Sequence, residues 1–396
     1  MIYLDNNATT PTDPKVVEAM LPYFSNKFGN ASSRHHAFGW EAEEAVDQAR
    51  TQIAELIHVD PSELIFTSGA TESNNLAIKG VFELYARKGN HIITVASEHK
   101  AVLDVCDALR LRGAEITVLP VNRQGLVDLD QVADTIRDDT ILVSIMWANN
   151  ETGVIQPMEE LGLVCSEHGV LLMSDATQAV GKIPVDPKKM GVHLMSFSAH
   201  KMYGPKGIGA LYICNHKPRV KVRSQIHGGG HEQGMRSGTL NVPGIVGFGK
   251  AATLAREQMS EEASRLQSYR TRLEHLVLNE VEEVLINGSE IHRLPHVSSL
   301  SFKHVEGEHL MMSFNQEIAV SSGSACTTAS LDPSHVLTAM GMTETEANST
   351  LRISFGRFNE RREVDQVANA IQQGVLQLRA ESPIWEMYKD GVDLSR

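Results

Sequence analysis

Cysteine is scarce in this chain of 396 residues: there are four, at positions 106, 165, 214 and 326, with no CxxC pair among them. That excludes a zinc ribbon or a disulfide framework as the organising element, and dispersed thiols suit a reducing compartment. Long apolar runs are missing too. Nothing approaches the 18 residues of a membrane helix, and the opening MIYLDNNATTP lacks the basic and apolar regions of a signal peptide. The reading is a cytoplasmic protein. Positive charge is in deficit: Lys and Arg total 36 against 49 Asp and Glu, a net charge of −13. Neither nucleic acid nor an anionic membrane is expected as a direct partner.

What is present is an ordinary 42% of apolar residues in a chain long enough for two units. Residues 40–57 put Ala42, Ala45, Val46, Ala49, Ile53 and Leu56 on one helical face. Short apolar runs then recur: ELIFTS (63–68), HIITVAS (91–97), EITVLPV (115–121), TILVSIM (140–146), VLLMSD (170–175), HLMSFS (193–198) and GIGALYI (207–213). Helical patterns fill most of the gaps. The fold class is therefore α/β, with a mostly parallel sheet covered on both faces. An amphipathic stretch over roughly 247–284 leads into a smaller α+β section, with a boundary near 250–260.

In such a sheet the ligand site lies at the carboxyl ends of the strands. FTSGATESNN (66–75) breaks a strand at Gly69 and opens a helix near Thr71, leaving free N–H groups suited to phosphate. LLMSDATQAVG (171–181) delivers Asp175, with Gln178 three residues on; the carboxylate could pair with a cationic ring nitrogen. SFSAHKMYGPKG (196–207) brings Ser198, His200 and Lys201, and a lysine in a partly dry site can form a Schiff base. ASEHKAV (96–102) offers His99 for stacking on a ring and moving protons. Taken singly, each has a plainer reading as a helix cap, a surface lysine or a structural histidine. Taken together they are what pyridoxal phosphate requires: a phosphate anchor, an aromatic lid, an acid for the pyridinium and an amine for the aldehyde.

With LDNNATTP (4–11), TSGATESNN (67–75), ANNETGV (148–154), DATQAVGK (175–182), SAHKMYGPKG (198–207), HGGGHEQGMRSGTLN (227–241), SSGSAC (321–326) and LRISFGR (351–357), the chain resembles the pyridoxal-phosphate-dependent cysteine desulfurases of the class-V aminotransferase family. SSGSAC resembles the branch with a long catalytic-cysteine loop, and ANNETG is shared with the nitrogen-fixation branch. The resemblance implies a fold-type-I homodimer that converts L-cysteine to L-alanine and leaves the sulfur on Cys326 as a persulfide. It implies Lys201 as the Schiff-base lysine and Cα base, Asp175 on the ring nitrogen, Gln178 on the ring hydroxyl and His99 stacked on the ring as a proton carrier. Ala70, Thr71, Ser198 and His200 would hold the phosphate, and Thr239 would reach the phosphate in the other subunit. Asn150 would contact the cofactor or the substrate, and Arg352 would clamp the substrate carboxylate, helped by Asn7 and Asn150. It also implies an arm over residues 1–14 packed on the small domain, a cofactor domain over 15–255, and a small domain over 256–396 carrying the cysteine loop. The expected sulfur acceptors are an iron–sulfur scaffold protein, with Cys326 a transient cluster ligand there, and tRNA thiolation. A selenocysteine lyase or another class-V aminotransferase-like enzyme is the alternative.

SSGSACTTAS (321–330) surrounds Cys326 with small residues and places no base beside it. At roughly 3.3 Å per residue, the stretch from Ser322 to Pro333 could carry a tip about 20 Å, so Cys326 is read as a swinging carrier. Cys106 and Cys165 fall in helical patterns and read as packing residues; Cys214 follows a strand and reads as surface-exposed. His227 and His231 are given a structural or dimer-interface role in preference to a metal, with Arg223 and Arg236 flanking their loop. The tail SPIWEMYKDGVDLSR (382–396) puts Trp385, Met387 and Tyr388 on a polar terminus, either self-docked or as a docking surface.

Overall fold

A computed structural model describes residues 1–322 and 332–391. Cys326, and with it the swinging-arm reading, lies outside the described residues. Each of the seven apolar runs forms a strand of one sheet: β1 (Leu64–Thr67), β2 (His91–Val95), β3 (Glu115–Leu119), β4 (Thr140–Ser144), β5 (Leu171–Asp175), β6 (Leu194–Ser198) and β7 (Gly209–Ile213). Their spatial order is β1-β7-β6-β5-β4-β2-β3. All neighbours are parallel except β7, which runs antiparallel to both β1 and β6. Every residue of β1, β2, β4, β5, β6 and β7 is buried, as expected for strands covered on both faces. Edge strand β3 is the exception: Glu115 and Val118 are exposed.

The helix α1 (Ala37–Leu56) buries Ala42, Ala45, Val46, Ala49, Ile53 and Leu56, the face its periodicity marks out. Helices α2 (Ala70–Tyr85) and α3 (Lys100–Arg110) follow β1 and β2 and carry their first turns to the carboxyl ends of those strands. Helix α4 (Val242–Glu280) is continuous for 39 residues, capped by Asn241 Oδ1 accepting from Gly244 N at 3.1 Å. Its first half packs Ile245, Phe248, Ala251 and Ala252 into the core of the large sheet. Leu266, Leu273 and Val277 of its second half enter a separate core with Leu300, Phe302, Leu351, Ile353 and Ile371. The 255/256 division thus falls inside one helix that serves both cores.

The second core lies against a four-stranded sheet that includes Val297–Phe302 and Thr350–Ser354. The N-terminus joins this part: Ile2–Tyr3 pairs in parallel with Ile318–Ala319, and Asp5 bridges Ser354. The chain then crosses to the large sheet, where Thr10 N donates to His200 O at 3.0 Å. At the other terminus Trp385 is buried under Arg379, whose guanidinium lies 4.2 Å from the ring, and stacks on Tyr388 at 5.3 Å. Ile384 and Met387 on the same helix stay exposed. No helix among the described residues is long and apolar enough to cross a membrane.

Candidate active site

A cavity of about 620 Å³ opens at the carboxyl ends of the parallel strands. Asn7, Ala70, Thr71, His99, Asn150, Asp175, Gln178, Ser198, His200, Lys201 and Arg352 all line it. Twelve of the thirteen expected site residues fall within the described chain; Thr239 alone of these stands apart, on an exposed loop outside the cavity.

One wall is the first turn of α2. Its N-cap is Gly69, so no side chain caps the free N–H groups of a sixteen-residue helix. A Cβ at Gly209 would stand 2.7 Å from Gly69 Cα, so β7 can lie against this turn only as glycine. Arg236 Nε donates to Glu72 Oε1 at 2.7 Å and braces the turn from the glycine-rich loop. His231 Nδ1 in that loop accepts from Gly238 N at 3.2 Å and so ties the loop to itself. Beside the turn, burial and then the charges of Lys201 and Lys206 push the His200 imidazole down to about 4. It is therefore neutral near pH 7 and meets an anion as a hydrogen-bond donor.

Asp175 ends β5 and is buried. Asn74 Nδ2 donates to Oδ2 at 2.7 Å and Thr177 N to Oδ1 at 3.0 Å, which fixes the carboxylate's orientation. His99 is the N-cap of α3: its Nδ1 accepts from Ala101 N at 3.0 Å. Burial lowers its pKa, so the neutral ring carries its proton on Nε2, and Nε2 is the nitrogen left for ligand.

The floor is the N-terminal arm. Lys201 Nζ donates to Ala8 O at 2.8 Å and also to Asn7 O, while Gln178 Nε2 donates to Asn7 O at 3.0 Å. Asn7 Nδ2 donates to Asn150 O at 3.0 Å. Arg352 is buried at 1% exposure. Its Nη2 donates to Asp5 Oδ1 at 2.7 Å and Ser321 Oγ at 3.0 Å, and its Nη1 to Asn150 O at 3.2 Å. Only Nε lacks a partner among the described residues. A two-point clamp through Nε and Nη2 therefore has to displace one of the two partners of Nη2, Asp5 or Ser321.

Two buried carboxyls escaped the sequence reading. Glu98 is wholly buried; burial and then the charge of Asp175 hold its pKa well above the usual carboxylate range. Glu151 lies behind Arg352 and accepts from Ser334 Oγ; burial pushes its pKa up to about 7, against the pull of Ser334 and Arg352. Nothing in the motif ANNETG distinguishes this acid from an exposed one. The folded state keeps a proton on Glu151 that the unfolded chain, titrating near 4.3, releases. Stability present at pH 4 is thus lost as pH rises to about 7, by roughly 3 kcal/mol from this group. In Glu151→Gln the fall in thermal midpoint between about pH 5 and 7 should shrink; an unchanged slope would mean Glu151 is ionised throughout.

The cysteines correct one expectation. Cys106 and Cys165 are packing residues, and burial pushes both thiols up to about 12. Cys214, read as exposed, is 3% exposed, because its strand turns back against Pro218 before reaching solvent.

The cavity suits pyridoxal phosphate: uncapped N–H groups and neutral donors for the phosphate, a fixed carboxylate for the ring nitrogen and an amine within the same walls. The model for aminotransferase class-V matches residues 2–367. A protein named cysteine desulfurase IscS from Photorhabdus laumondii is 53% identical over all of this chain and 97% of its own length, and one of that name from Klebsiella pneumoniae matches equally. Among solved structures, a NifS-like protein superposes with a TM-score of 0.87 at 39% identity, covering 94% of this chain and 98% of the other. A structure described as SspA in complex with cysteine gives 0.80 at 37% identity, covering 91% and 100%.

Proposed function

The chain belongs to the class-V aminotransferase family and is a pyridoxal-phosphate-dependent cysteine desulfurase, and from that premise we propose how its own residues divide the work. L-cysteine and the Cys326 thiol become L-alanine and a persulfide on Cys326. The observation that carries this division is one cavity walled by an uncapped helix turn, a fixed buried carboxylate and a lysine amine.

The N–H groups of Ala70 and Thr71, with Ser198 and neutral His200, bind the phosphate. Asp175 would pair with the ring nitrogen, and Gln178 Nε2, which now donates to Asn7 O, would face the ring hydroxyl. When bound, the cofactor supplies a ring that accepts the electron pair left by a departing proton. Arg352, with Asn7 and Asn150, orients the substrate carboxylate and sets its Cα against Lys201. Lys201 Nζ would hold the cofactor aldehyde at rest and, once the substrate amine replaces it there, would take the Cα proton as a neutral amine. His99 covers the ring and offers its Nε2 proton to the substrate side.

The substrate sulfur leaves its carbon for Cys326. Three observations support that choice: Cys106, Cys165 and Cys214 are all buried. The chain leaves Ser321, which touches Arg352, five residues before Cys326, and returns through Ser334, which touches Glu151. Five extended residues span at most about 17 Å. We further propose a homodimer in which Thr239 completes the partner's phosphate site, a cytoplasmic location, and delivery of sulfur to an iron–sulfur scaffold, with the exposed Ile384 and Met387 on the docking face.

The test is alanine release from L-cysteine by the cofactor-loaded protein. Asp175→Asn should lower it about 10²–10³-fold, the scale of losing one preorganised electrostatic partner, with the cofactor still bound. An unchanged rate would remove Asp175 from the account.

A further inference from the structure

At the sheet edge opposite the cavity, β7 runs on into Cys214, Asn215 and His216, and its neighbour β1 is preceded by Glu63. The antiparallel register Leu64↔Tyr212 brings these residues to one corner. Glu63 Oε1 lies 3.1 Å from His216 Nδ1, and Cys214 Sγ lies 3.5 Å from the same nitrogen. The three donor atoms fall within 4.8 Å of one another. Bond lengths of about 2.0–2.1 Å to nitrogen, 2.0–2.2 Å to oxygen and 2.3 Å to sulfur give tetrahedral ligand separations of roughly 3.3–3.6 Å. The two distances to His216 Nδ1, 3.1 and 3.5 Å, are close to those.

The corner is also built. Glu63 is buried, with Oε2 held by Asp60 N at 2.9 Å and Lys188 Nζ at 2.8 Å and Oε1 steadied by Asn215 N at 3.1 Å. The carboxylate is satisfied without His216, so its own needs do not explain a thiol and an imidazole beside it. Tyr212 adds a second observation: it is fully buried and its hydroxyl has no hydrogen-bond partner among the described residues. Residues 212 and 214 are two apart along the extended chain, so the pleat turns both side chains to the same face. A metal-bound thiolate is a stronger acceptor for this hydroxyl than a neutral thiol. His216 is half exposed and gives the entry path.

We propose that Glu63, Cys214 and His216 bind one thiophilic divalent cation of the zinc class, with a fourth position open to water. Sulfur and imidazole donors select that class over magnesium or calcium. The cation releases the Cys214 proton and ties β1, β7 and the following turn together. Because it sits across the sheet from the cavity, it takes no part in sulfur transfer.

The test uses the full, tag-free, cofactor-loaded chain with Cys326→Ser, which removes the competing thiol. Cobalt(II) should bind at one equivalent with the intense visible d–d bands of a tetrahedral, sulfur-ligated ion, which zinc bleaches. Cys214→Ser and, separately, His216→Ala should each weaken binding about tenfold or more, since even groups outside the ligand set contribute about 10–100-fold. His216 is exposed, so its variant decides the matter if the buried serine impairs folding. Absence of the bands in the parent, or bands and affinity that survive His216→Ala, overturns the site.

Discussion

Lys201→Ala should bring alanine release down by about 10⁴-fold or more, while the protein still takes up cofactor. The size follows from the two tasks on one amine. Moving the Cα proton by itself is worth about 10²–10⁴-fold for a positioned acid or base, and the same amine also positions the aldehyde. Neither neighbour substitutes. Burial keeps His200 neutral with a pKa near 4, and His99 spends Nδ1 capping α3. Cofactor uptake survives because the uncapped turn of α2 and the fixed Asp175 do not depend on Lys201. Absorbance of the bound cofactor and a coupled alanine assay check both halves. A variant keeping more than about a hundredth of the rate would place the base elsewhere.

The second large effect is on sulfur. In Cys326→Ser, persulfide formation and alanine release should both fall to the level of free cofactor, with cofactor absorbance and its response to added L-cysteine intact. The hydroxyl of serine cannot take sulfur from the substrate, and burial withholds the Cys106, Cys165 and Cys214 thiols. The variant also separates the two enzyme readings. A lyase that expels its chalcogen without a protein thiol keeps its rate here; a desulfurase that hands sulfur to Cys326 does not.

Much of this was legible in the residues. Six strands of the main sheet stood out because a strand covered on both faces is predominantly apolar, as in TILVSIM, while the edge strand β3 is partly exposed. The cavity followed, since parallel strands deliver their last residues to one edge; hence His99, Asp175 and Lys201 meet although 102 positions part the first from the last. What stayed hidden depends on contacts between distant segments. Arg352 read as a free clamp, but Asp5 and Ser321, on strands brought alongside only by the fold, already hold it. Glu98 and Glu151 look like ordinary surface acids until burial fixes their protonation. The boundary near residue 255 looked like a break because the apolar face of α4 changes partners there, while its backbone continues unbroken.

The central claim is that cofactor chemistry in this cavity loads sulfur onto one thiol of four. Mass spectrometry of peptides from the L-cysteine-treated, cofactor-loaded protein tests it most directly. The account predicts the added mass of sulfur on the peptide containing Cys326 and on none containing Cys106, Cys165 or Cys214. Sulfur found first on one of those three, or none on Cys326 while alanine accumulates, would contradict it.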